Sequence, residues 1–532
     1  MSPARADFAA RRTAATAADS AATAREPFRK VLVANRGEIA VRVCRTLRTM
    51  GIPSVTVYSD ADRGAPHARA GDESVAIGPA APAQSYLNAS AILDAARNTG
   101  ADAIHPGYGF LSENAMFAAA CRAAGIVFIG PSPESMARLG DKSAARRTAA
   151  SRNVRLVPGA EDVLTVERAL AEAERVGFPV MLKAAGGGGG RGMRVVASAS
   201  EVEPAFEAAR REAKSAFGDD RLLLEKYVHP ARHIEIQILA DGREAVALGE
   251  RECSLQRRHQ KLIEESPSAA VRTETRAAME RAAASLAQAA EYAGVMTAEF
   301  LMGADGKFYF LEVNTRLQVE HTVTEMRTGL DLVRAQILIA AGRPLAEALD
   351  SRTPGPGSRK VASAPAAPAL RGHAIEARLC AEDAYHGFLP QTGTIRALAW
   401  HEEEGVRVDS GIAQGQSLQP YYDSLLAKVI AHGKDREDAR TKLLRALRGT
   451  ALLGVVTNQS FLIDLLEDES FRGGETFTHT VESREWRAPA GIPDAALAAV
   501  AAFSSEPRAT RDADEDTDRY SPWQRLGAWG RR

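Results

Sequence analysis

Between Lys30 and Gly130, short apolar runs and helix-forming stretches take turns along the chain. That alternation limits the fold more than any other feature. Val31-Leu32-Val33-Ala34 reads as a buried parallel strand, since a strand covered on both faces is continuously apolar. Asn35-Arg36-Gly37 turns it into an amphipathic helix that runs to about Met50. Pro53–Ser59 reads as a second strand, helical stretches recur at 88–99 and 112–124, and Ala103–His105 and Val127–Gly130 supply two more strands. This pattern predicts a doubly wound α/β lobe. The first turn lacks G-x-G-x-x-G, so a dinucleotide site has little support there. The segment His105–Asn114, HPGYGFLSEN, is a glycine-containing loop at the end of a strand, where open α/β sheets place ligand contacts.

One such lobe cannot account for 532 residues, because domains run to about 100–200 residues each. Residues 133–156 read as a helical linker and 157–228 as a small α+β lobe. A third lobe follows from about 229 to 485, interrupted at 351–370 by a stretch rich in Pro, Ala, Ser and Gly that reads as an exposed insertion. Residues 1–28 carry four Arg and three acids with no apolar periodicity; they read as a disordered tail, and the acids speak against a transit peptide. Residues 486–532 turn polar and read as a second, mobile tail. With 67 Lys plus Arg against 68 Asp plus Glu, a general nucleic-acid binder is not expected. Cys44, Cys121, Cys253 and Cys380 have no paired spacing, so neither disulfides nor a structural zinc is expected, and a reducing, cytoplasmic compartment is. No apolar run approaches the ~20 residues of a membrane helix.

The chemistry concentrates in three segments. In Leu311–His321, Glu312, Asn314, Arg316, Gln318 and Glu320 fall on alternate positions with Val313, Thr315, Leu317 and Val319 between them, the pattern of a strand with one polar face. A solvated strand face alternates in the same way. The composition of this face (two acids, an amide, a guanidinium and no lysine filler) favours function. Upstream, Gly303-Ala-Asp-Gly306 suggests a four-residue hairpin loop. If Met302 pairs with Lys307, Glu299 lies diagonal to Glu312, ~7–8 Å away on the same face, and the two carboxylates with Asn314 would suit Mg²⁺ or Mn²⁺. A pair of surface acids in a hairpin is the bland alternative. The second segment, Val180–Arg194, holds five consecutive glycines between two strand-like runs and reads as a hairpin lid whose backbone N–H groups approach phosphates, with Lys183 beside it. It is no Walker A loop, because no Gly-Lys-Ser/Thr follows. The third is Glu250–Lys261, whose central Arg257–Lys261 is dense in donors, which fits an anion site and a basic surface loop equally. Cys253 within it reads as a packed small hydrophobe.

Together these segments resemble the ATP-grasp enzymes, and within them the biotin carboxylases, over about Lys30 to Thr480. The motifs that carry the resemblance are Ala34–Ala40 (ANRGEIA), His105–Asn114, Lys183–Arg194, Gln256–Lys261 and Glu312–His321, in the family's order. The resemblance implies a three-lobed α/β and α+β enzyme. Residues 29–132 would be a Rossmann-like N-terminal domain, 157–228 a mobile glycine-rich ATP-grasp lid, 229–350 the catalytic, metal-binding domain and 371–485 a C-terminal domain. It further implies that Lys142 and Lys183 hold ATP phosphates, with Gly189 and Gly190 closing over them. Glu225, Lys226 and Val228 would read adenine through their backbone, and His233, Gln256 and His259 would touch the nucleoside. Glu299, Glu312 and Asn314 match the metal ligands, and Lys261, Arg316, Gln318 and Val319 match the bicarbonate pocket. Glu320 matches the general base, and Arg378 matches the residue that meets bicarbonate and biotin. ATP, two Mg²⁺ (or Mn²⁺) and bicarbonate are the implied reactants, in the first half-reaction of an acyl-CoA carboxylase of the acetyl-CoA carboxylase type. No lysine is adjacent to a methionine, so biotin is expected on a separate carrier protein, with a separate carboxyltransferase and a homodimeric arrangement. The rival readings are another ATP-grasp ligase, which would lack the Arg316–Glu320 and Arg378 combination, and a catalytically silent nucleotide-binding subunit.

Overall fold

The N-terminal sheet is parallel throughout. Its strands β1 (Val31–Val33), β2 (Ser54–Tyr58), β3 (Glu73–Ala76), β4 (Ala103–His105) and β5 (Val127–Phe128) lie in the order β3-β2-β1-β4-β5. The computed structural model describes residues 28–185, 193–350, 367–488 and the isolated 491, 497–498 and 501. The chain divides after Glu485 into two units, and everything below concerns the first. Strand order reverses at β1, so a crevice opens at the C-terminal ends of β1 and β4. The Asn35 side chain ties the two loops there together, donating to the carbonyls of Pro106 and Tyr108, each at 2.7 Å. Gly107 between them has φ +63°, and a Cβ on it would stand 2.9 Å from the Asn35 amide nitrogen. β3 escapes sequence reading because three of its four residues are exposed and it contains no apolar run. Phe28, placed above in the tail, is buried in the core with Val31 and Val33.

The second sheet is antiparallel, with β6 (Gly159–Val163), β7 (Val180–Ala184), β8 (Arg194–Val196) and β9 (Leu222–Lys226) in the order β6-β9-β7-β8. Helices Val166–Val176 and Val202–Phe217 cover it, Ala169, Ala173, Phe206 and Ala209 packing on Leu182, Val196 and Leu224. β7 and β8 pair as the glycine-run hairpin requires, although residues 186–192 themselves lie outside the described residues.

The largest sheet is an eight-stranded antiparallel one. β10 (Ala231–Asp241), β11 (Ala245–Arg257), β12 (Gln260–Ser266), β13 (Ala293–Gly303), β14 (Phe308–Asn314) and β15 (His373–Cys380) lie in the order β14-β13-β10-β11-β12-β15, followed by strands Leu425–Gly433 and Val406–Ser410. One sheet therefore runs through both stretches that flank the insertion, because β15 pairs with β12. Two expectations need correction. Met302 pairs with Phe308, not Lys307, and a bulge at Leu311 then sets Glu299 directly opposite Glu312 instead of diagonal to it. The polar alternation also outlasts the strand. β14 ends at Asn314, and Arg316, Gln318 and Glu320 lie in an irregular segment before the helix His321–Thr328. β14 is an edge strand, and the Thr315 N–H goes to the Glu113 carboxylate at 2.9 Å instead of a ladder partner.

Candidate active site

A cavity of about 1060 Å³ is lined by strands of the second and third sheets and by the loops and helix start that follow the strands of the first. The described residues singled out from the sequence converge on it. Lys142, Lys183, Glu225, Lys226, Val228, His233, Gln256 and His259 line one part, and Lys261, Glu299, Glu312, Asn314, Arg316, Gln318, Val319, Glu320 and Arg378 line the rest. Gly189 and Gly190 lie outside the described residues.

Local structure aims each group. Asp141 caps a helix by accepting from the Ala144 N–H, which sets Lys142 at the first helical position. A cation there opposes the helix dipole, so the position suits an anion bridging lysine and helix terminus. In the structure its ammonium meets Glu312 at 3.1 Å. On β7, Lys183 faces Leu223 of β9, so Glu225 is its diagonal neighbour on the same face; Lys183 and Arg146 both pair with the buried Glu225 carboxylate. Burial raises the Glu225 pKa, but the two cations outweigh it and hold it below the ordinary value. Lys226 turns its ammonium to the carbonyls of Gly177 and Phe178, leaving its backbone on the cavity. Arg258 and His259 form the turn between β11 and β12 with φ of +46° and +63°, a left-handed pair without glycine.

Glu320 sits at the centre of a chain of alternating charge. Lys261 Nζ lies 2.5 Å from Glu320 Oε1, 2.7 Å from Glu235 Oε2 and 3.2 Å from Glu299 Oε1. Arg378 lies 2.9 Å from Glu320 Oε2 and donates from Nε to Glu264 at 2.5 Å. The fully buried Arg251 closes the chain on Glu235 at 2.6 Å. Burial raises the Glu320 pKa, yet Lys261, Arg378 and Arg251 win, and it is held well below the ordinary value. Lys261 moves the opposite way: burial favours its neutral form, but Glu235, Glu299 and Glu320 hold it charged. Arg316 is steered by Glu113 at 2.9 Å and by the side-chain amide oxygen of Asn314, Oδ1, at 3.2 Å. Beside this chain, burial pushes Glu264 up to about 7 and Glu376 up to about 8, with Arg378 opposing in both. Cys253 is fully buried and burial raises its thiol well above the usual range, so it is no nucleophile.

Glu299 and Glu312 face each other with Asn314 donating to Glu299 at 2.8 Å, an all-oxygen donor set that fits Mg²⁺ or Mn²⁺. Gln318 donates to Glu299 at 2.8 Å, and His233 Nε2 lies 3.0 Å from its carboxylate. The donor atoms of His233, Glu235 and Glu299 gather within 4.8 Å as well, but Lys261 and Arg251 already neutralise Glu235 there. Sequence reading missed Glu235, Arg251, Glu264, Glu376 and Lys428. The alternation His233, Glu235, Gln237 on β10 is a signal that could have found Glu235. Nothing local marks Lys428, which is fully buried and donates to the Val319 carbonyl at 2.8 Å.

Three family models match the chain: "Biotin carboxylase, N-terminal domain" over residues 27–136, "Carbamoyl-phosphate synthase L chain, ATP binding domain" over 141–348, and "Biotin carboxylase C-terminal domain" over 376–483. The biotin carboxylase of Nostoc sp. is 46% identical over 457 residues, covering 86% of this chain and 99% of that protein. The mitochondrial methylcrotonoyl-CoA carboxylase subunit alpha of Oryza sativa subsp. japonica is 47% identical over 457 residues, but the match covers 85% of this chain and only 60% of that protein. Among solved structures, the biotin carboxylase of Campylobacter jejuni in complex with β-γ-ATP superposes with a TM-score of 0.80 at 40% identity, covering 86% of this chain and 99% of that one. The biotin carboxylase domain dimer of the Hydrogenobacter thermophilus 2-oxoglutarate carboxylase, in complex with MgADP, ADP and bicarbonate, gives 0.79 at 40% identity, covering 86% and 98%.

Proposed function

The chain belongs to the biotin carboxylase family, and we propose that it carboxylates biotin with ATP and bicarbonate, its own residues taking the following roles. The observation that carries this reading is the Glu320 carboxylate held between Lys261 and Arg378, beside Arg316 and the Glu299–Glu312–Asn314 oxygens. Lys142 and Lys183 bind the ATP phosphates. The backbone of Glu225–Val228 reads adenine, and His233, Gln256 and His259 contact the nucleoside. Glu299, Glu312 and Asn314 hold the divalent ions, which supply charge neutralisation on the phosphates when bound.

Bicarbonate binds between Lys261, Arg316, Gln318 and the Val319 backbone. While Lys261 and Arg378 bear fully on Glu320 it is a weak base; an anion that engages both cations lets its proton affinity rise. Glu320 then takes the bicarbonate proton, and the freed oxygen attacks the γ-phosphorus as the bond to the β-phosphate oxygen breaks. The products are ADP and carboxyphosphate. Carboxyphosphate separates into CO₂ and phosphate inside the closed cavity. The phosphate takes the proton from the biotin ureido nitrogen, Arg378 stabilises the enolate, and the nitrogen attacks CO₂ to give carboxybiotin. Biotin arrives on a carrier protein, a carboxyltransferase handles the final acceptor, and the chain works as a homodimer in the cytoplasm. Relatives are named for different acceptors while sharing the matched region, so the acceptor is chosen outside it. Among the described residues no helix is long and apolar enough to cross a membrane.

The test is ADP release with Mg²⁺ and ATP, with bicarbonate and free biotin each added or withheld. Release that needs bicarbonate and rises with biotin is expected. Release indifferent to both would overturn the assignment in favour of another ATP-grasp acceptor.

A further inference from the structure

Two acids of the active-site region have no part in these roles. Glu264 on β12 and Glu376 on β15 are direct register partners, so their Cβ atoms stand about 4.5–5.5 Å apart on one face of the sheet. Both side chains are fully buried. One oxygen of each is engaged, Glu264 Oε1 by Arg378 and Glu376 Oε2 by the Thr322 hydroxyl. The other oxygen of each, Glu264 Oε2 and Glu376 Oε1, is buried without a hydrogen-bond partner. A bare buried carboxylate oxygen is costly, and one on each of two register partners is more so. A proton between them satisfies both, one acid donating and the other accepting.

The surrounding charges lead to the same count. Arg378, Lys261 and Glu320 act on Glu264, and Lys428 and Arg378 act on Glu376, with the Cys253 thiol and Tyr108 phenol nearby and held neutral. Lys428 is already matched by Glu38 at 3.2 Å, Lys261 by Glu235, Glu299 and Glu320, and Arg378 by Glu320. A second negative charge on the pair has no cation of its own.

We propose that Glu264 and Glu376 share one proton, and that this acid–carboxylate pair anchors Arg378 while Glu320 changes charge. When Glu320 takes a proton, its hold on Arg378 Nη2 weakens, whereas Glu264 Oε1 keeps both Nε and Nη2 at 2.5 Å. The guanidinium therefore stays in the cavity on Glu264, with the side of Nη2 that faced Glu320 freed for the next anion, the biotin enolate. Glu264 and Glu376 are positioning residues for that step. Burial favours the protonated form of both acids, Glu320 adds to this at Glu264, and Glu264 adds to it at Glu376.

The shared proton stands apart from the enzyme assignment, whereas the Arg378 step rests on it, so two measurements are paired. Infrared spectra of the full chain with and without ¹³C-glutamate, taken near neutral pH, should contain a protonated-carboxyl band that shifts with the label and is lost in Glu376→Gln. In wild type the pair must give up its proton in alkali, so Glu376→Gln should raise the melting temperature near pH 9 more than near pH 6. Glu264→Gln should lower biotin carboxylation about tenfold, the effect of one weakened charge-assisted hydrogen bond, with bicarbonate-dependent ATP cleavage changing less than about twofold. Absence of a labelled acid band in wild type, or equal loss of both activities in Glu264→Gln, would overturn the proposal. A band present in a chain that releases no ADP in response to biotin would leave the proton pair standing and sink the enzyme assignment and the Arg378 step with it.

Discussion

Replacing Glu320 with glutamine keeps the shape of the side chain and removes both its charge and its capacity to accept a proton. The structure says how much of the damage should be chemical. Lys261 retains Glu235 at 2.7 Å and Glu299 at 3.2 Å, and Arg378 retains Glu264 at 2.5 Å, so neither cation is orphaned. Breaking a buried ion pair costs about 3–5 kcal/mol when the remaining charge has no other partner. With those partners retained and an amide oxygen still accepting, the cost should be nearer ~1 kcal/mol. Loss of the general base should slow the reaction by about 10²–10⁴, or roughly 3–5 kcal/mol on the barrier at about 1.4 kcal/mol per tenfold. Bicarbonate-dependent ADP release should therefore collapse while calorimetric ATP affinity stays within about twofold and the protein melts only a few degrees lower. Turnover within tenfold of wild type would remove Glu320 from the base role. A collapse of ATP affinity would show that it organises the nucleotide site instead. The pH dependence has a definite sign. The Glu320 pKa is held below its ordinary value against burial, chiefly by Lys261 and Arg378. Its contribution to stability is present above the unfolded value of about 4.3 and is lost as pH falls through the native value, so the two melting temperatures should converge in acid.

Other perturbations separate neighbouring roles. Arg378→Ala should impair biotin carboxylation more than bicarbonate-dependent ATP hydrolysis in parallel assays, and equal losses would mean a shared positioning role. Lys183→Met leaves Glu225 paired with Arg146 and should raise the KM for ATP about 10–100-fold, the worth of a charge-assisted contact, without moving that for bicarbonate. Phe28→Ala should destabilise the protein by about 3 kcal/mol in urea titration because Phe28 is buried in the N-terminal core. An unchanged midpoint would return it to the tail.

Local periodicity and turn chemistry were enough to place Ala103–His105 and Val180–Ala184 as strands, because a buried strand betrays itself in its own residues. The chemical groups were legible for a similar reason: acids, amide and guanidinium crowd into the single segment Glu312–Glu320. How those groups meet was not legible. One extra residue at Leu311 decides that Glu299 faces Glu312, and no period reveals a bulge. A carboxylate of another loop, Glu113, takes the Thr315 N–H where the strand gives way. Lys428, Glu264 and Glu376 acquire meaning only when strands far apart in sequence pair, as Arg378 does with Glu264 across 114 residues. Sequence determines which side chains each element offers and on which face. Tertiary structure alone decides which of them lose their water together, and in that low-dielectric interior the near neighbours set whether each acid or base keeps its charge.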